Sequence, residues 1–184
     1  MLGIEKYELK DVCNISRGKV ISKETINNRI GIYPVYSSQT ENNGELGKID
    51  TYDYEGEFVT WTTDGAKAGT PFYRCGKFNV TNVCGLLKPN NETLNAKYLF
   101  YALQTQMFKY VNRTSANAKL MSNVVEKIQV TIPPLFIQQK IVATLDKFEE
   151  ISNDTQKGLQ LNIQQERKRY EYYRNKLLTF KEKS

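Results

Sequence analysis

Histidine is absent from the 184 residues of this chain. That removes the commonest general base, the Ser-His and Cys-His nucleophile pairs and most zinc chemistry. Cysteine is scarce. Cys13, Cys75 and Cys84 form no CxxC spacing, and an odd count leaves one thiol unpaired. The expectation is therefore no disulfide framework and no metal site, with reduced thiols in the cytoplasm. No run approaches the roughly 18 apolar residues of a membrane span, so none is expected. The opening MLGIEKYELK lacks an apolar h-region, so it does not read as a secretory signal.

Catalytic motifs are missing too. There is no GxxxxGK[ST] loop for nucleotide phosphates, and Gly65-Ala66-Lys67-Ala68-Gly69 lacks the spacing of a cofactor loop. DNA amino-methyltransferases hold their target amine with an Asp/Asn-Pro-Pro-aromatic motif. The Pro-Pro pair here is flanked by Ile132 and Leu135, which can neither bind an amine nor stack on a base. Asp53, Glu55 and Glu57 could hold a metal, but without the acid-x-Lys partner of nucleases they read as a solvated acidic loop.

What is present suits binding. Hydrophobic residues make up 40% and charged residues 25%, as in ordinary globular proteins. The net charge of +6 is unevenly spread. Between Glu41 and Asp64, seven acidic residues face Lys48 alone, whereas Gly65 to Lys127 holds nine basic residues against two acidic. Such a basic middle, interleaved with Tyr, Phe, Asn and Ser, suits a surface that tracks phosphates. A merely solvated face is the plainer reading.

The pattern predicts a β-rich domain over 1–134 and a helical segment over 135–184. Phe58 to Thr63 alternates and is rich in β-branched and aromatic residues, so it reads as a strand. Thr70 to Phe78 reads as a hairpin turning near Cys75-Gly76, and Phe78 to Leu87 as a further strand. Ile128, Val130 and Ile132 give a short strand stopped by Pro133-Pro134. Asn42-Asn43-Gly44 is a turn. A helix is predicted from Ala96 to Val111, capped by Asn95, with Leu99, Leu103, Met107 and Tyr110 on its apolar face.

From Leu135 to Leu178 there is no proline and a single glycine, Gly158. Ile137, Ile141, Leu145, Phe148, Ile151, Thr155, Leu159, Ile163, Tyr170, Tyr173 and Leu177 mark a helical seam. A continuous rod would be roughly 65 Å long at 1.5 Å per residue. It would need a partner helix to cover that seam. The expectation is an antiparallel coiled coil through Ile141, Leu145, Phe148, Leu159, Ile163, Tyr170 and Leu177. A helix folded back on itself at Gly158 is the alternative.

Polar, turn-forming stretches are the candidate contacts. Ser37, Ser38, Gln39, Thr62, Thr63 and Asn117 offer amides and hydroxyls for base edges, and Lys67, Arg113 and Lys119 offer cations for phosphates. Each could equally be a polar surface loop.

These stretches resemble a known family. Thr60-Trp61-Thr62-Thr63-Asp64-Gly65-Ala66-Lys67-Ala68-Gly69 is similar to the TxDGAxAG core of recognition domains in type I restriction–modification specificity subunits. Tyr33-Pro34-Val35-Tyr36-Ser37-Ser38 resembles their YPVYSS element, and Leu94-Asn95-Ala96-Lys97-Tyr98-Leu99 their NPKYLYYYL helix. Ile132-Pro133-Pro134-Leu135-Phe136-Ile137-Gln138-Gln139-Lys140-Ile141 is similar to IPPLEEQQKI, which opens their long helix. Phe136 and Ile137 replace acidic residues there, and Arg113 to Ser122 matches loosely.

The resemblance implies an α+β half-subunit, either natural or cut from a longer chain: one target-recognition domain, then one conserved long helix. That helix pairs antiparallel with the equivalent helix of a second unit, an identical chain in the case of a natural half-subunit. It implies a non-catalytic subunit that reads half of a bipartite site on double-stranded DNA. The modification subunit would bind S-adenosylmethionine and methylate adenine. The restriction subunit would use ATP and magnesium to cleave. This chain would carry no cofactor. A helical scaffold without DNA specificity and a small carboxylate-metal nuclease are the rival readings.

Overall fold

The structure, a computed structural model, describes residues 5–114, 117–158 and 163–179, without the side chains of 153–158 and 163–165. Its strands are β1 (Glu5–Glu8), β2 (Cys13–Arg17), β3 (Ile30–Tyr36), β4 (Glu45–Ile49), β5 (Tyr54–Thr62), β6 (Pro71–Val80), β7 (Cys84–Pro89) and β8 (Gln129–Ile132). Its helices are α1 (Leu9–Val12), α2 (Lys23–Asn28), α3 (Ala96–Gln104), α4 (Ser122–Val125), α5 (Leu135–Gly158) and α6 (Ile163–Leu178). Six strands form a sheet in the order β2-β7-β5-β6-β3-β4, and β1 pairs separately with β8. Neighbours are antiparallel except β3 and β6, which run parallel.

Strand β5 shows why this sheet is a core. Its alternation sends Val59 and Trp61 to one face and Phe58, Thr60 and Thr62 to the other, and all five are buried. The first face packs under α3 and the start of α5, with Leu87, Leu99, Leu103, Met107, Ile141 and Leu145. The second carries an aromatic cluster in which Phe58 meets Phe78 edge to face at 5.3 Å.

Three expectations change. The predicted hairpin at Cys75-Gly76 is not a turn, because β6 runs straight through it with Gly76 opposite Gly56. The reversal lies at 63–70, where Gly65 and Gly69 supply the positive φ values. The predicted strand from Phe78 to Leu87 is split by a turn at 81–83 into the end of β6 and β7. The helix over 96–111 ends as α3 at Gln104 and continues as a 3-10 turn from Met107 to Tyr110. Its predicted cap holds: the Asn95 side chain accepts from Tyr98 N at 2.9 Å.

The largest correction concerns the C-terminal seam. No single rod forms. Helix α6 returns along α5, with the Phe148 and Tyr173 rings stacked at 5.1 Å and 12°, so the chain covers much of its own seam. Ile141 and Leu145 are core residues of the β-rich domain rather than partner contacts. Tyr170 and Leu177 pack against that same core from α6. Leu159 lies outside the described residues, and for Ile163 only the helical backbone is described. The physical reason is Gly158 and the polar residues around it. A poor helix former in a weak stretch of seam lets the second half fold back and half-bury Tyr170 and Tyr173.

Phe148→Asp should therefore act within one chain. It is expected to cost about 1.5–3 kcal/mol at the helix pair. Hydrogen exchange would show it as lost protection of the α6 amides, and unchanged protection would rule out the stack as the fastening.

A candidate nucleic-acid interface

Four segments distant in sequence meet beyond the ends of β3, β5 and β7. They are 37–39, 62–70, 81–83 and the described parts of a fourth, 112–114 and 117–120. Gly65 N donates to Ala118 O at 3.0 Å, and Leu120 N to Thr63 O at 2.8 Å. Asn112 and Lys119 exchange backbone hydrogen bonds of 2.8 and 2.9 Å, which tie these two positions together. Trp61, fully buried, donates its indole N–H to Leu120 O at 3.0 Å, which pins this loop to the core.

Hydroxyls knit the segments together. Ser38 Oγ lies against the Val83 carbonyl and against Asp64 Oδ1 at 3.1 Å. Thr63 Oγ1 lies against the same two acceptors at 2.9 and 3.0 Å. Thr81 shares a hydroxyl bond of 2.8 Å with Ser37, whose N–H donates to Gly44 O at 2.9 Å. Thr62 Oγ1 donates to Lys67 O and accepts from Thr70 N at 3.0 Å, fastening both ends of the 63–70 turn. Gly69 needs its positive φ there, and a Cβ would lie 2.7 Å from the Val111 side chain.

The predicted contacts thus separate into two groups. Thr62 and Thr63 are fully buried, so the expectation that they face the groove is corrected: they hold the loop. The hydroxyls of Ser37 and Ser38 are likewise engaged inside the cluster. A fixed hydroxyl network of this kind satisfies buried backbone groups that a bare turn would leave orphaned. Lys67, Arg113, Asn117 and Lys119 stand exposed on the same cluster. Gln39 is half-buried, and its amide donates to Glu45 O.

Sequence reasoning missed three residues. Asp64 serves as the acceptor that gathers Ser38 and Thr63. Arg74 is buried beside Tyr36, and burial lowers its pKa below the usual arginine range. Its signal was legible: by alternation it shares a face of β6 with Phe72, Phe78 and Val80, an inward place for a charge. Gln138 is fully buried where α5 begins.

Catalytic chemistry has little to work with. Burial pushes the Cys13 thiol up to about 12 and Cys84 up to about 11, so neither is a ready thiolate. Of the acidic loop, Asp53 pairs with Lys19 at 2.6 Å and Glu55 with Lys77 at 3.8 Å. Among the described residues no three His, Cys, Asp or Glu side chains could share a metal ion, and no helix is long and apolar enough to cross a membrane.

The chain is similar to known proteins in sequence and in fold. The family model described as the type I restriction modification DNA specificity domain matches residues 1–165. A Mycoplasma pneumoniae protein assigned as the N-terminus of type I specificity subunit S.MpnORF289P is 51% identical over 145 residues, covering 79% of this chain and 78% of its own. The MpnII type I restriction enzyme specificity subunit of M. pneumoniae is 42% identical over 176 residues, covering 96% of this chain. The chain spans 53% of that protein's length. Among solved structures, the type I restriction–modification S subunit of M. genitalium superposes with a TM-score of 0.70 at 16% identity, over 85% of this chain and 41% of that one. The HsdS subunit of Thermoanaerobacter tengcongensis gives 0.63 at 15% identity, over 96% and 45%. At such identities the structural likeness is one of fold.

Proposed function

The chain belongs to the family of type I restriction modification DNA specificity domains, and from that premise we propose that it reads one half of a bipartite DNA site for a type I restriction–modification complex. The carrying observation is the loop cluster, where Lys67, Arg113 and Lys119 stand exposed around a network that fixes the backbone beneath them. Rigid presentation matters because base readout depends on donors and acceptors set to within a fraction of an ångström. Lys67, Arg113 and Lys119 neutralise phosphates and set register, while Gln39 and Asn117 read base edges.

In this reading the chain supplies recognition and its partners supply chemistry. The modification subunit binds S-adenosylmethionine and methylates adenine, and the restriction subunit cleaves with ATP and magnesium. A second identical copy reads the other half-site, and a two-fold axis then makes the target palindromic. The helix pair is the natural contact between copies, because Ile151 and Tyr172 remain 42% and 59% exposed on it.

The test is co-expression with the cognate modification subunit, followed by mapping of methylated adenines. Methylation confined to one split sequence, and lost without this chain, supports the proposal. A palindromic split site supports the identical pair. A stable complex without sequence-specific methylation removes the DNA-reading and favours a scaffold.

Lys67→Ala gives a sharper check. It should weaken binding to all sequences alike and reduce the slope of log K against log salt by about 0.9. Binding titrations across salt would measure it. An unchanged slope would take Lys67 off the phosphates.

A further inference from the structure

Arg74 is 3% exposed, yet among the described residues it forms no ion pair with a carboxylate. Its guanidinium lies 3.6 Å from the Tyr36 ring centroid and 4.5 Å from that of Phe72. Nε donates to Thr60 Oγ1 at 3.3 Å and Nη2 to the Asn43 carbonyl at 2.7 Å, while Nη1 is buried with no hydrogen-bond partner. Glu45 acts on it only from beyond ion-pair distance, and a buried cation so weakly compensated costs stability, where an apolar side chain of equal volume would fill the space better. Packing alone therefore does not account for an arginine here.

What an apolar residue could not do is hold the Asn43 carbonyl. That carbonyl belongs to three consecutive residues with positive φ: Asn42 at 47°, Asn43 at 52° and Gly44 at 78°. Left-handed backbone is costly at the two asparagines and persists only when its surroundings impose it. The loop held in this way presents Gly44 O to Ser37 N and Glu45 O to the Gln39 side-chain amide. One amide hydrogen of Gln39 is thus committed. The other, together with Oε1, forms the donor–acceptor pair that matches N7 and N6 of adenine in the major groove.

We propose that Arg74 is a specificity-determining positioning residue, which clamps the 41–45 loop so that Gln39 reads one adenine of the half-site. The proposal rests on the DNA-reading function above and assigns one base position within it.

The experiment maps the methylation motif for the parent chain and for Arg74→Met, Arg74→Lys and Gln39→Ala, each co-expressed with the modification subunit, with melting temperatures taken alongside. Gln39→Ala and Arg74→Met are expected to relax the same single adenine position by roughly tenfold or more, leaving the other positions intact. Arg74→Lys keeps the charge but loses the planar fork, so it should recover only part of the discrimination. A role confined to stability would instead lower methylation evenly at every site. Should Arg74→Met not fold, Gly44→Ala tests the same clamp, because its Cβ would sit 3.0 Å from Arg74 Nη2 on a positive-φ backbone. An unchanged motif in Gln39→Ala, or relaxation at a different position in the clamp variants, overturns the proposal. A parent chain that directs no sequence-specific methylation overturns the DNA-reading itself.

Discussion

Replacing Gln138 with leucine is expected to lower the unfolding free energy by about 2–4 kcal/mol, although leucine is the more apolar residue at a fully buried site. The Gln138 amide satisfies three backbone groups at once. Oε1 accepts from Asn95 N at 2.8 Å, and Nε2 donates to the Thr93 and Pro133 carbonyls, each at 2.8 Å. Asn95 caps α3, and Pro133 precedes α5, so one side chain joins the starts of two helices. Leucine would gain some transfer energy but leave these partners unsatisfied, each at a cost of roughly 1–3 kcal/mol where water cannot reach. For a chain of this size the loss is a fall in melting temperature of roughly 5–15 °C. Gln138→Glu should be damaging as well, because a carboxylate cannot donate to the two carbonyls. A leucine variant within 0.5 kcal/mol of the parent (about the scatter of neutral substitutions) would refute the assignment.

Gly85→Ala should be the other severe change, for the opposite reason. Gly85 faces Trp61 across the β5–β7 pair, and an added Cβ would lie 2.2 Å from two ring carbons of that tryptophan. Trp61 cannot swing aside easily, since it is fully buried and its N–H is fixed to Leu120 O. Overpacking of this kind costs typically about 1–3 kcal/mol, and a rigid ring on an inner strand puts this site at or above the upper end. The damage should also reach the loop cluster, because Leu120 in turn donates to Thr63 O. Sequence-specific methylation is therefore expected to fail at temperatures where the chain is still folded. Chemical denaturation of Gly85→Ala, Trp61→Leu and the double variant would test the coupling. The double variant should be more stable than the two single losses added together. Strict additivity would mean that the ring and the glycine are not in conflict.

Parts of this molecule were legible without coordinates. Alternation revealed β5 and β8, and the Asn95 cap announced α3, because both signals are local and act within a few residues. The turn at Cys75-Gly76 was misread for the same reason. Two small residues look like a reversal until the partner strand is known, and here Gly56 lies directly opposite to accommodate them. The apolar periodicity over 135–178 marks a seam, but periodicity states only that a face must be covered. It does not say whether another chain or the same chain covers it. Phe148 stacked on Tyr173 answers that for the described part.

The candidate site divides along the same line. Composition excluded histidine chemistry, the motifs pointed to the recognition loops, and charge distribution located the exposed cations Lys67, Arg113 and Lys119. Residue type could not separate a hydroxyl that faces solvent from one that fastens a turn. Thr62 and Thr63 looked like readers and are buried fasteners: Thr62 ends β5 on its inner face, Thr63 opens the turn beneath the loop cluster, and the Lys67 and Val83 carbonyls claim their protons.

The sequence by itself determined the chemical class of this protein: no histidine, no phosphate loop, basic turn-rich segments and an ordered set of recognition motifs ending in a helical tail. Only the tertiary structure decided which polar groups remain available, which way the tail runs, and that a charge is buried behind Tyr36. Those outcomes depend on contacts between residues far apart in the chain, such as Ser38 with Val83 and Arg74 with Asn43, and no local pattern encodes such a meeting.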